Sequence, residues 1–249
     1  MQYRKLSLAV AGLILVTATT ASHAAIVFTN LGSSAPPSSI GGYPLTPFDL
    51  APQAALAEYS VISLIPGSPV PGSLGTSPAV TKYTAGVSWA SSWSHGYTGP
   101  IYYSGGPDQV VLTLPAGSKA FYFYAQPNYY GTYSMTVTTN DGGSSGPIPV
   151  STGYFDPSQG AGGFAFHADA GETITTVTIS SPGTGGFAFG EFGINAGPTT
   201  TCASEGYTYT KLEWCKNICE RGYTGSTLQM WIRRWTDRYR TLPYCALQE

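Results

Sequence analysis

From Ala25 to Thr201 the chain has no cysteine, and from Ala25 to Thr200 it has two lysines, Lys82 and Lys119, and no arginine. Eight acids stand against those two lysines, a net of −6. This body of the chain lacks the basic density that a phosphate backbone demands, which excludes nucleic acid as a partner. Histidine is scarce as well, with only His95 and His167 after residue 24. No G-x-S-x-G elbow accompanies either, so hydrolysis by an activated serine has no support. No D-x-D-x-D calcium loop occurs. Beyond the first 21 residues there is no apolar run of membrane-spanning length, so no span is expected. These absences leave no catalytic residue, metal ligand or cofactor to assign.

The N-terminal segment 1–24 combines Arg4 and Lys5, an apolar run from Leu6 to Ala21, and small residues at Ser22 and Ala24. It is expected to act as a secretory signal removed after about Ala24, which places the mature protein in the periplasm or outside the cell. The remainder is long enough for one large β domain and a small satellite.

Residues 35–82 hold nine of the nineteen prolines and are expected to form a long wrapped loop, with "ISLI" as a short strand and "PQAALAEY" as a helical turn. From Tyr83 to Asn195, short runs rich in Val, Ile, Thr, Tyr and Phe alternate in polarity between turn residues. They are "TAGVSW", "QVVLTLP", "KAFYFYAQP", "GTYSMTVTTN", "GPIPVSTGYF", "GGFAFHA", "TITTVTIS" and "GGFAFGEFGIN". Tyr133, Met135 and Val137 share one face of their segment, the pattern of a half-buried antiparallel strand. "NDGG" at 140–143 reads as a hairpin turn. The expected fold is mainly β, an antiparallel, jelly-roll-like β-sandwich over residues 25–196. "NAGPTTT" marks the boundary, with 197–201 as linker.

Residues 202–249 differ in kind, carrying all four cysteines and seven Lys or Arg against five acids. "GYTYTKLEWCKNIC" and "GYTGSTLQMWIRRW" align without gaps sixteen residues apart, each with a capping box. They predict two antiparallel helices joined by a tight turn at Gly222. Leu212, Cys215 and Cys219 form one stripe, and Leu228, Trp231, Ile232, Trp235 and Tyr239 the facing one. Cys215 and Cys219 are one helical turn apart, about 5–6 Å between Cβ atoms, which is too far for a disulfide to join them. Cys202 and Cys245 flank the hairpin and supply the partners. A unit this small cannot bury enough apolar surface to hold itself, so two disulfides are expected. Zinc would need a second close ligand pair or histidine, and the tail has neither. Chain reach favours Cys215 with Cys245 and Cys202 with Cys219.

"WCKNICERGYTG" followed by "WIRRWTDRYRTLPYC" resembles a C-terminal module of exported Gram-negative bacterial proteins. The resemblance implies secretion and a cysteine-stapled helical hairpin, and brings no activity with it. "FYFYAQPNYYGTYSMTV" and "GGFAFGEFGIN" resemble, more loosely, the jelly-roll domains of bacterial surface proteins.

Among the acids, Asp108, Asp141, Asp156 and Asp169 sit beside turn residues, where local backbone bonding accounts for aspartate. Glu191 is placed by alternation on the same strand face as Phe187 and Phe189; a buried carboxyl there would have a raised pKa, and the favoured reading is that this face is partly solvated at Glu191. The strongest functional signal is aromatic. Trp89, Trp93 and Tyr97 lie among glycines and serines, and Asn128, Tyr129 and Tyr130 form a turn. Flat apolar rings with a polar edge suit stacking on sugars, and the same residues could instead cap the sandwich end; alternation places Trp89 inward and Trp93 outward. The residues favour a secreted, non-enzymatic β-sandwich that binds carbohydrate or another extracellular polymer. The alternatives are a structural or adhesive matrix protein with a protein partner, engaged through the hairpin, and then a glycan hydrolase using Glu191.

Overall fold

The computed structural model describes residues 25–89, 92–153, 159–169, 171–196, 202, 206–219, 221, 225–241 and 243. The expected signal segment 1–24, the expected linker 197–201, Gly222 and Cys245 lie outside them.

The elements in chain order begin with β1 (Ile26–Gly32), β2 (Ser39–Ile40), β3 (Tyr43–Pro44), β4 (Thr46–Pro47), α1 (Leu50–Ala54), β5 (Val61–Ile65) and β6 (Leu74–Thr84). There follow β7 (Pro100–Tyr103), β8 (Gln109–Thr113), β9 (Ser118–Pro127), β10 (Gly131–Thr139) and β11 (Ile148–Thr152). The last are β12 (Gly162–Ala168), β13 (Thr176–Ser180), β14 (Phe187–Ala196), α2 (Tyr209–Cys219) and α3 (Gly225–Tyr239).

All strand pairs are antiparallel, and twelve strands form one sheet in the order β1-β12-β9-β14-β7-β6-β8-β13-β10-β11, with β4 on β14 and β5 on β6. The sheet curls over on itself. Phe121, Phe123, Phe164, Phe187 and Phe189 from one part of the strand order pack in a single cluster with Val110, Leu112, Met135, Val137, Val177 and Ile179 from the other. That shared core makes the fold a β-sandwich, as alternation predicts. Each phenylalanine removed from water there contributes about 1.5–3 kcal/mol. The β10–β11 hairpin turns at 140–143 with Gly142 at φ +83°.

Two expectations need correction. The proline-rich stretch is not only wrapped loop, since it contains the eleven-residue β6. Pro78 is tolerated because β6 pairs β8 through Gly75–Ser77 and β7 through Thr81–Thr84, and Pro78 falls between the two ladders where no N–H is required. "ISLI" and the helical turn are present as β5 and α1, the latter capped by Asp49 accepting from the Ala51 N–H at 3.0 Å. "TAGVSW" is a turn, not a strand: the Thr84 carbonyl accepts from the N–H groups of Val87, Ser88 and Trp89, each at 3.1 Å. The two "GGFAF" copies, on β12 and β14, flank β9 on opposite sides and do not pair with each other.

The tail forms the helical pair. Trp214 of α2 meets Trp231 and Tyr239 of α3, and Trp235 is buried with Ile218 and Cys215. The disulfide is Cys202–Cys215, with Cα atoms 5.7 Å apart, which overturns the pairing of Cys202 with Cys219 and of Cys215 with Cys245. The reason is packing ahead of the helix. Tyr207 sits edge-on against Trp235 at 5.3 Å, and Lys211 lies over both rings. This anchors the entering chain beside the first turns of α2, level with Cys215 and short of Cys219. Cys219 is itself disulfide-bonded, its sulfur 3.9 Å from that of Cys215.

Candidate functional site

The outer face of β12, β9, β14, β7 and β6 carries a second aromatic cluster, distinct from the core. Along β9, Phe121, Phe123 and Ala125 point into the core while Ala120, Tyr122 and Tyr124 point outward. Small residues on the neighbouring strands, Ala165 and Ala188 among them, make room for these rings. Gly193 is obligatory there, since a Cβ would collide with the Tyr122 ring.

Residues 85–89 and 92–99 lie over this face and cover it. Trp89 and Trp93 are 7% and 5% exposed, so both are buried, against the expectation that Trp93 points outward. Trp89 packs against Tyr83 and Tyr103, with centroids 5.6 Å away in each case. Trp93 packs on Tyr97 at 6.2 Å, and the Tyr97 hydroxyl donates to the Pro100 carbonyl at 3.0 Å. The Ser94 hydroxyl donates to the Ala161 carbonyl on the sheet side.

Glu191 is the polar centre. The register of β14 against β9 shifts between Gly190 and Gly193, so Glu191 and Phe192 together oppose Phe123 as a β-bulge. The extra residue reverses the alternation: Phe187 and Phe189 face the core, Phe192 and Ile194 continue there, and Glu191 turns to the outer face. The expectation that Glu191 shares a face with Phe187 and Phe189 is therefore corrected. The paired glycines of "GEFG" are the signal that could have revealed it.

The Glu191 carboxylate accepts from Trp93 Nε1 at 3.2 Å and lies 2.7 Å from His95 Nε2. The His95 ring stands edge-on to Tyr124 at 4.9 Å. His95 and Glu191 are both in the left-handed region, at φ +43° and +55°. Two non-glycine residues held there and bonded to each other mark stored strain. Burial pushes the Glu191 carboxyl up, and the bonds from His95 and Trp93 only partly offset it. Burial, together with the nearby Glu191 charge, also raises the phenols of Tyr97, Tyr122 and Tyr124. No second carboxylate bonds into this centre among the described residues. It works as a clamp that pins the crossing segment to the sheet. His95, as the partner of Glu191, is the residue that sequence reasoning missed.

The predicted residues thus divide. Trp89, Trp93 and Tyr97 belong to the clamped face. Asn128, Tyr129 and Tyr130 sit at the β9–β10 turn, with Tyr129 and Tyr130 exposed at 52% and 53%. The tip is held by side-chain bonds. Asn128 Nδ2 donates to the Tyr103 hydroxyl at 3.3 Å, that hydroxyl donates to the Gly185 carbonyl at 2.7 Å, and Thr152 Oγ1 donates to the Tyr129 carbonyl at 2.6 Å.

No family model and no curated protein matches the chain. Among solved structures, the CBM22-1–GH10 modules of Clostridium thermocellum endo-1,4-beta-D-xylanase 10B, complexed with xylohexaose, match over 48% of this chain at 15% identity and a TM-score of 0.24. The chain spans 25% of that xylanase chain. A family 29 carbohydrate-binding module from Piromyces equi matches over 59% of this chain and 97% of its own, at 10% identity and a TM-score of 0.23. At such TM-scores the functional reading rests on the site's own geometry.

Proposed function

We propose that this is an exported, non-enzymatic β-sandwich that binds carbohydrate or another extracellular polymer. The observation that carries it is the β9–β10 tip, where the exposed tyrosine pair stands on a turn braced by Asn128, Tyr103 and Thr152. A rigid aromatic platform binds without a large ordering cost, and each ring offers an apolar face with a polar edge. The cystine Cys202–Cys215 supports an oxidising compartment, periplasmic or extracellular, in line with the resemblance of the tail to exported proteins.

The test is retention on insoluble polysaccharides and on a glycan array. Tyr129→Ala is expected to weaken retention about tenfold, equivalent to about 1.4 kcal/mol, with the melting midpoint unchanged. Equal retention by wild type and variant would overturn the reading of the tip.

A second reading, a matrix or adhesive protein with a protein partner, is favoured by one feature. Exposed Arg233, Arg234 and Arg238 of α3, with Arg240 just past its end, give the helix a basic outer surface, opposite in sign to the sandwich. Charge reversal at Arg233 and Arg238 that released a bound partner protein, with glycan retention absent, would select it.

A further inference from the structure

A cleft of about 540 Å³ opens beside the clamped segment, lined by Leu50, Ala54, Glu58, Lys82, Tyr97 and Pro100. Its polar wall is an ion pair between Lys82, 3% exposed, and Glu58, 34% exposed. Thr84 Oγ1 donates to Glu58 Oε1 at 2.6 Å, the Ser88 hydroxyl donates to Oε2, and Lys82 Nζ donates to both Glu58 Oε1 and Thr84 Oγ1. Counting valences, Oε1 has accepted two hydrogen bonds, Oε2 one of two, and the ammonium has donated two of three. One carboxylate acceptor site and one ammonium N–H therefore remain unused. Burial works to raise the Glu58 carboxyl, but the bonds from Lys82, Ser88 and Thr84 outweigh it and hold the group below the usual carboxylate range. Lys82 is buried while Glu58 is partly open, so the side of the pair that meets the cleft is the carboxylate.

We propose that this cleft binds a neutral hydroxylated ring, a single sugar unit of a saccharide, with Glu58 Oε2 accepting from one hydroxyl, Lys82 donating to another, and Leu50, Ala54 and Pro100 packing on the ring's apolar face. The charges of the wall already compensate each other, so an anion or a cation would meet an opposing partner. Neighbouring hydroxyls supply a donor and an acceptor at fixed spacing. The ligand class rests on the carbohydrate reading above, while the residues are separate from the Tyr129 tip.

The experiment is a two-dimensional amide NMR titration of the mature chain with glucose, xylose, mannose and their hexamers at millimolar concentration. Shifts are expected at Leu50–Glu58 and at 96–100. Glu58→Gln should weaken them about tenfold or more, the effect of losing a charge-assisted bond. Ala54→Trp, which fills the cleft from an exposed position and leaves the ion pair intact, should abolish them. Both variants should keep Tyr129-dependent polymer retention. Cleft shifts without polymer retention would remove the tip reading and leave the cleft standing. Retention without cleft shifts, or shifts indifferent to Ala54→Trp, would overturn the cleft.

Discussion

Glu191 shows how one carboxyl can organise a surface. Its Ala variant leaves Trp93 Nε1–H and His95 without their acceptor, a loss of about 1–3 kcal/mol. For a domain of this size that lowers the melting midpoint by roughly 2–12 °C. Glu191→Gly removes the same acceptor but relieves the left-handed backbone, so it is expected to melt above Glu191→Ala. Equal midpoints would show that no strain is held there. The pH dependence follows from the direction of the shift. Because folding raises this carboxyl, the protonated form is the one that folding favours, and the contribution is full below the ordinary carboxylate range. It is lost as pH rises through the raised value, so wild type should lose stability relative to Glu191→Gln as the medium goes from acidic to neutral.

At the scale of elements, the tail's repeat extends to backbone conformation. Tyr209 and Gly225, sixteen residues apart, open α2 and α3 with φ values of +47° and +57°. The second copy has glycine there, while the first holds a tyrosine that is 90% exposed and loses little packing if removed. Left-handed backbone costs a side-chain-bearing residue about 1–2 kcal/mol, partly offset by glycine's greater freedom in the unfolded chain. Tyr209→Gly should therefore slow amide exchange in the first turn of α2, and faster exchange would refute the idea. The cystines give a second check. Peptide mapping should find Cys202 linked to Cys215, and Cys219 linked to Cys245, the cysteine that remains in the sequence. A Cys202–Cys219 peptide would contradict the packing of Tyr207 against Trp235.

For the whole molecule the question is what holds the curl shut. β1 and the β10–β11 hairpin stand at opposite ends of the strand order, yet Asp141 of the hairpin turn accepts from the Ile26 N–H of β1 at 2.8 Å. The same carboxylate accepts from the Thr139 hydroxyl at 2.6 Å and the Gly143 N–H at 2.9 Å. Burial pushes Asp141 up, but these three bonds prevail and hold it below the usual range. A carboxyl lowered on folding stabilises above its unfolded value and loses that contribution as pH falls. Asp141→Asn is expected to lower the melting midpoint at neutral pH, with the difference from wild type shrinking in acid. A constant difference across that range would mean the charge has no part in the seam.

The sequence by itself determined what depends on neighbours in the chain. Alternation in "GTYSMTVTTN" and "KAFYFYAQP" has period 2 and makes strands, and the tail's 3.6-residue stripes make two helices that need cystines. These patterns are set by local backbone geometry. The tertiary structure decided everything that depends on distance through space. It placed Pro78 between two ladders and so turned a loop reading into β6. It inserted the bulge that sends Glu191 outward, buried Trp93 against Tyr97, and brought Cys202 level with Cys215. It also set Lys82 against Glu58, twenty-four residues apart in the chain. No local period carries such information, because a one-residue shift in pairing moves every later side chain to the other face.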